Sequence, residues 1–210
     1  MAAMNVARAA AFAVALVSLP LQAHADPPQP GDDAAAAGRF GLLLRMNLDF
    51  GGAKLADVTW SDGSTATLRA GQLITFAAGA GYRATSAWAI EATLGYKFDK
   101  VNGANGTIEF TRIPIDVIFS WAPGHHRLGG GATVHLLPRF NCSASGLCDQ
   151  KVDFGTAFGG IVQYAYVFRP AWMSLGFDVG IRGSFIRYSG QDVTTMNGSS
   201  IGFFFGFAWF

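Results

Sequence analysis

From Phe40 onward the chain alternates between apolar and polar positions. Between Phe40 and Phe50 the even positions are Phe40, Leu42, Leu44, Met46, Leu48 and Phe50, while the odd ones include Arg45, Asn47 and Asp49. Successive side chains of a strand point to opposite faces, so this period of two predicts a strand with one apolar and one polar face. The pattern returns from Ile74 to Tyr82, from Trp88 to Phe98 around Glu91, Thr93 and Lys97, and from Ile113 to Trp121 beside Arg112, Asp116 and Ser120. It continues from Leu128 to Leu136 with Thr133, His135 and Arg139, from Phe158 to Phe168 around Gln163, and from Met173 to Ile181 around Asp178 and Arg182. With the closing Ile201 to Phe210, eight strands are expected.

The connections alternate as well. Ala84 to Ala87, Ala122 to Arg127 and Arg169 to Ala171 are tight, whereas the intervening ones are longer and more polar, with Asp62-Gly63, Asn102-Gly103, Asn105-Gly106 and Asn197-Gly198 as turn pairs. Short turns at one end and long loops at the other predict an all-β, eight-stranded antiparallel up-and-down transmembrane β-barrel over residues 39–210, with the short turns and both termini in the periplasm. The stretch from Asp57 to Leu68 is expected to form a ribbon that carries the first two strands beyond the membrane.

Composition agrees with a membrane barrel: 27 glycines, 13% aromatic residues and only 14% charged ones. Charged residues interrupt every apolar stretch after residue 25 too soon for a membrane helix. Tyr82, Trp88, Trp121, Tyr166 and Phe168 gather near the short turns, as an interfacial aromatic girdle would. A water-soluble barrel with an apolar core would need no such girdle.

Residues 1–25 read as a secretory signal: a start whose only charge is Arg8, an apolar run broken by Pro20, and Ala23-His24-Ala25 before Asp26. Sec-type export to the outer membrane of a Gram-negative bacterium is therefore expected. Residues 26–38 form a Pro- and Ala-rich periplasmic leader. The whole chain has 15 Lys and Arg against 14 Asp and Glu, and loss of Arg8 with the signal balances it. Without a basic cluster, nucleic acid is not an expected partner.

The segment from residue 39 to Phe210 resembles the small outer-membrane β-barrels of Gram-negative bacteria, the OmpA/OmpX-like eight-stranded group, in architecture, periodicity and terminal aromatic residue. The resemblance implies that the last strand, with Phe210 as its assembly signal, is recognised by the barrel-assembly machinery, and that outer-membrane lipid surrounds a monomer. The family places apolar residues at alternate positions counted back from the final Phe. Here the stronger apolar set is Ile201, Phe203, Phe205, Phe207 and Trp209, so either Phe210 lies out of phase or a bulge shifts the register.

An eight-stranded barrel has an interior that side chains can fill, and charges there must be paired. The inward set offers Arg45, Arg112 and Arg182 against Glu91, Asp116 and Asp178, with Asn47, His135 and Gln163 between them. Two readings follow: a structural plug, or a gated narrow path for small solutes. Arg45 with Glu91 or Asp116 is the first pairing expected. A lipid-modifying enzyme would need a nucleophile beside a base. His125 and His126 fall in a periplasmic turn, and His135 lacks the H-x-S arrangement of lipid A deacylase barrels, so no catalytic residue, metal or cofactor is expected. Cys142 and Cys148, six apart around Gly146 in an oxidising compartment, are expected to form a disulfide in an extracellular loop, outside the barrel. The expected role is structural, or interactive through extracellular loops that meet a ligand or host surface.

Overall fold

The computed structural model describes residues 39–103, 106–146, 148–169, 175–190 and 195–209. The expected signal, the leader and Phe210 lie outside the described residues. The strands are β1 (Arg39–Gly51), β2 (Lys54–Thr59), β3 (Thr65–Arg69), β4 (Leu73–Arg83), β5 (Trp88–Gly103), β6 (Gly106–Trp121), β7 (His126–Ala144), β8 (Cys148–Asp153), β9 (Ala157–Phe168), β10 (Leu175–Tyr188), β11 (Met196–Asn197) and β12 (Ser200–Trp209). Antiparallel ladders run β1-β4-β5-β6-β7-β9-β10-β12, and β12 pairs back onto β1 from Leu42↔Trp209 to Gly51↔Ser200. The sheet therefore closes as an eight-stranded barrel without an edge in its wall.

The wall faces lipid with an apolar belt. Leu42, Phe76, Leu94, Phe119, Phe158, Val162, Phe185 and Phe203 are each 52% or more exposed. At the short-turn end aromatic rings touch from strand to strand: Phe40 and Tyr82 at 4.8 Å, Trp88 and Phe119 at 4.8 Å, Phe168 and Phe177 at 4.8 Å, and Phe177 and Phe205 at 6.4 Å. Rings in this position place an apolar body in the acyl region and, for Tyr and Trp, a polar edge toward the headgroups.

β12 keeps one register with both neighbours over its whole length, so no bulge shifts it. Ile201, Phe203 and Phe205 face outward and Gly202, Phe204 and Gly206 inward, which places the stronger apolar set on the lipid side. The two inward glycines make room for acids. A Cβ on Gly206 would come within 2.2 Å of Asp178 Oδ1, and one on Gly202 within 2.5 Å of Asp49 Oδ1.

A membrane strand needs about 9 to 11 residues. β5, β6 and β7 have 16, 16 and 19, so they rise beyond the belt on the long-loop side. The β6–β7 ladder shifts by one residue around Leu137, which has φ 49° and lies 69% exposed. This bulge reverses the phase of β7: Pro138 points inward, and Arg139, expected among the polar inward positions, is exposed and bonds Asp153 at 2.5 Å. The ladder between β5 and β6 omits Gly95 and Tyr96 opposite Pro114 and Ile113, where proline has no N–H to give.

The ribbon expected near Asp57 exists as a separate two-stranded ladder, β2 with β3, turned at Asp62-Gly63. It is more than a polar extension. Its Trp60 and Leu68 are 4% and 2% exposed and pack with Phe110, Cys142, Phe154, Ile186 and Tyr188 in an apolar cluster inside the raised part of the barrel. Trp60 sits so close to Gly103 that a Cβ there would overlap the indole ring at 1.9 Å.

Candidate functional site: the barrel lumen

Inside the belt the inward positions are ionic. Arg45, Asn47, Glu91, Arg112, Asp116, His135, Gln163, Asp178 and Arg182 all point inward, each at most 7% exposed. Lys97 and Arg127 with Asp49 and Asp99 join them, so five cations face five anions among the buried described residues.

They fall into tiers. Nearest the short turns, Glu91 accepts from Arg45 Nη2 at 3.1 Å and from Arg127 Nη1 at 2.9 Å. Asp178 accepts from Arg127 Nη2 and lies 3.9 Å from Arg45 Nη2. Arg45 also donates to Gln163 Oε1 at 3.5 Å, and its guanidinium stands 5.0 Å above the Phe204 ring. Two arginines thus share two acids, held by β1, β5, β7 and β10.

In the middle tier Arg182 Nη2 donates to Asp116 Oδ2 at 3.0 Å, while the Thr133 hydroxyl donates to Asp116 Oδ1 at 2.6 Å. Asp116 is thus the partner of Arg182 and not of Arg45, whose pairing is with Glu91. Higher, Lys97 Nζ donates to Asp49 Oδ2 at 2.7 Å and to the Gly71 carbonyl at 3.0 Å. The uppermost polar groups are Arg112, Asp99 and His135, the last with Nδ1 2.5 Å from the Tyr188 hydroxyl. Above them lies the apolar cluster.

Charges placed this way cannot be separated from one another cheaply. Removing two ions from water costs several kcal/mol each, and good geometry is what offsets it. The alternation of signs across strands therefore ties β1, β5, β7 and β10 into one register.

The other two described histidines lie at the short-turn rim. His125 Nδ1 is 2.9 Å from the Val167 carbonyl and its ring stacks on Tyr166, and His126 Nδ1 is 2.7 Å from the Tyr164 hydroxyl.

Cys142 and Cys148 are joined, with Cα atoms 5.8 Å apart, across the β7–β8 hairpin. The expectation of a bridge lying wholly outside the barrel needs revising. Cys142 is 3% exposed because it belongs to the inward row of β7, and the bridge therefore borders the apolar cluster.

Four of the ten lumen charges were not among the expected set. Lys97 and Asp99 continue the inward phase of Glu91 along β5, and Asp49 that of Arg45 along β1, so the same periodicity would find them. Arg127 was hidden because the tight turn ends earlier than its sequence suggests and β7 begins at His126.

A closed eight-stranded antiparallel barrel with an apolar exterior and an ionic interior defines the class: a small transmembrane β-barrel. No protein-family model matches the chain, and no curated protein matches it in sequence. Among solved structures it is similar to the outer membrane protein AlkL, determined by solid-state NMR in DMPC bilayers, with 11% identity and a TM-score of 0.42 over 82% of this chain and 90% of that one. It is also similar to the outer membrane protein OprG from Pseudomonas aeruginosa, with 13% identity and a TM-score of 0.39 over 83% of this chain and 96% of that one. The class rests on the closed register and the apolar belt, not on these distant likenesses.

Proposed function

We propose that the protein is an outer-membrane barrel of a Gram-negative bacterium, exported by a Sec-type signal, whose lumen is shut and whose role is structural or interactive through its extracellular hairpins. The observation that carries this reading is Glu91. It is 1% exposed and bridges two arginines from opposite sides of the lumen, beneath a cap that contains Trp60. An open aqueous path would solvate such a carboxylate. Assembly through the barrel machinery with Phe210 as signal, a monomeric state and the absence of catalysis belong to the same reading.

Two measurements test it. The protein should fractionate with the outer membrane and migrate faster on gels unheated than boiled. Purified into a planar bilayer it should show little conductance. A sizeable steady conductance would replace the plug with the narrow-channel reading, and recovery in the soluble periplasmic fraction would remove both.

A further inference from the structure

The lumen is unevenly charged along its axis. Arg39, Arg83 and Arg169 stand at the short-turn ends of β1, β4 and β9, each two residues from a buried inward position of its row: Gly41, Gly81 and Val167. Arg39 and Arg83 are direct register partners, so two like charges face each other across the β1–β4 ladder. Such a pair is destabilising unless an anion joins it. β9 lies on the opposite wall, and the charge of Arg169 opposes that of Arg83 across the mouth; both oppose Arg127.

Arginine stays charged at any physiological pH. Together with Arg45 and Arg127, the described residues of this end place five arginines against two acids, Glu91 and Asp178, which Arg45 and Arg127 already engage. Farther up, Lys97, Arg112 and Arg182 are matched in number by Asp49, Asp99 and Asp116. The mouth alone therefore has an excess of three positive side chains. Residues 26–38, which lead directly into Arg39, carry three acids, Asp26, Asp32 and Asp33, and no Lys or Arg.

We propose that the short-turn mouth is a docking surface for this acidic segment of the chain itself, with Asp32 and Asp33 seated between Arg83 and Arg169. Length permits it. Asp33 precedes Arg39 by six residues, a reach of about 20 Å when extended. Eight tilted strands close a ring roughly 16 Å across, so every arginine of the rim is within that reach. The tether also decides which anion wins, because a short linker holds its carboxylates at roughly millimolar effective concentration. The docking is separate from the ionic tiers, so it holds whether or not the lumen conducts.

The test is a spin-label distance in the full chain, placed in nanodiscs of neutral phosphatidylcholine, between labels at Gln29→Cys and Ser86→Cys in the first short turn. Cys142 and Cys148 are bridged and do not take the label. At about 0.01 M salt one narrow distance should dominate. Raising salt to about 1 M, where the screening length falls from about 30 to 3 Å, should broaden it. Asp32→Asn with Asp33→Asn, outside the barrel wall and so harmless to its assembly, should lower the ratio of docked to undocked chain about fivefold or more at low salt. Arg83→Glu should do the same, and Asp33→Arg added to it should restore the narrow distance. A wild-type distribution no different from that of the neutralised variant would overturn the proposal, whether both are broad or both narrow. A distance that responds to added phosphatidylglycerol and not to Asp32 and Asp33 would assign the arginines to lipid phosphates and overturn it too.

Discussion

Glu91→Ala is the sharpest perturbation of the lumen. In the tier nearest the short turns two cations, Arg45 and Arg127, face two anions, Glu91 and Asp178, and all four are at most 5% exposed. The substitution deletes two charge-assisted hydrogen bonds, at 3.1 and 2.9 Å, and leaves two guanidiniums to one carboxylate. Each such bond is worth about 1.5 to 3 kcal/mol. That total overlaps the roughly 3 to 5 kcal/mol expected when one partner of a buried pair is removed. The unfolding constant should therefore rise by about 150- to 5,000-fold, each 1.4 kcal/mol being a factor of ten. Denaturant unfolding in lipid vesicles, followed by the gel-mobility shift, measures it. Asp192→Ala, in the polar stretch of sequence between β10 and β11, is the control. A Glu91→Ala barrel as stable as that control would refute the reasoning, because it would mean that water already reaches the tier and screens the pair. Conductance of the same variant separates the cases further: it should rise from near zero if Glu91 closes the path.

Trp60→Ala should remove the cap's largest ribbon side chain and cost about 3 to 5 kcal/mol of local stability, seen as faster amide exchange in β2, β3 and the upper ends of β5 and β6. Reduction of Cys142–Cys148 releases a short loop, a loss of about 2 to 3 kcal/mol in the chain-entropy model, and should loosen β7–β8 and the cap while the gel-mobility shift of the barrel persists; unchanged exchange over 139–153 would contradict it. Outside the membrane, Lys54 and Thr67 hold the Asp57 carboxyl below the usual carboxylate range, Ser64 does so for Asp62 and Arg139 for Asp153. A folded carboxyl held low contributes fully above the ordinary aspartate pKa of about 3.9 and loses that contribution as pH falls through the lower folded value. Exchange protection of these hairpins should thus be flat from pH 8 to 5 and drop only below about pH 4; loss near neutrality would assign the effect to other groups.

The strands and their inward charges were legible because the period of two is dictated by two solvents. Lipid outside and ion pairs inside leave no freedom at Leu94 or Glu91. Two features escaped that logic. The bulge at Leu137 inserts one residue and reverses the phase, and the run Leu136-Leu137-Pro138 gives no sign of which residue will be the extra one. Partner choice was also hidden: Arg45 selects Glu91 over Asp116 because strand tilt and register, not spacing along the chain, decide which inward residues share a level.

The deeper reason the cap was missed is that the alternation inverts within single strands. On β6 the membrane portion has Ile113, Ile115, Val117 and Phe119 outward with Arg112, Asp116 and Ser120 inward, whereas beyond it Thr107, Glu109 and Thr111 face outward and Ile108 and Phe110 inward. β7 does the same once Asn141 and Ser143 replace leucine and valine on its outer side and Cys142 and Ala144 turn in. The hydrophobic effect places apolar groups away from water in both portions. Only the location of water changes, from neither side of the lower wall to the outside of the upper one. A barrel that protrudes from its membrane must therefore exchange an ionic interior for an apolar one at the level where lipid ends. Arg112 stands at that level, the last inward charge of β6 before Phe110. A charge at such a boundary has ionic neighbours on one side and aromatic ones on the other, which is why it can lack a protein partner while the tiers below it do not.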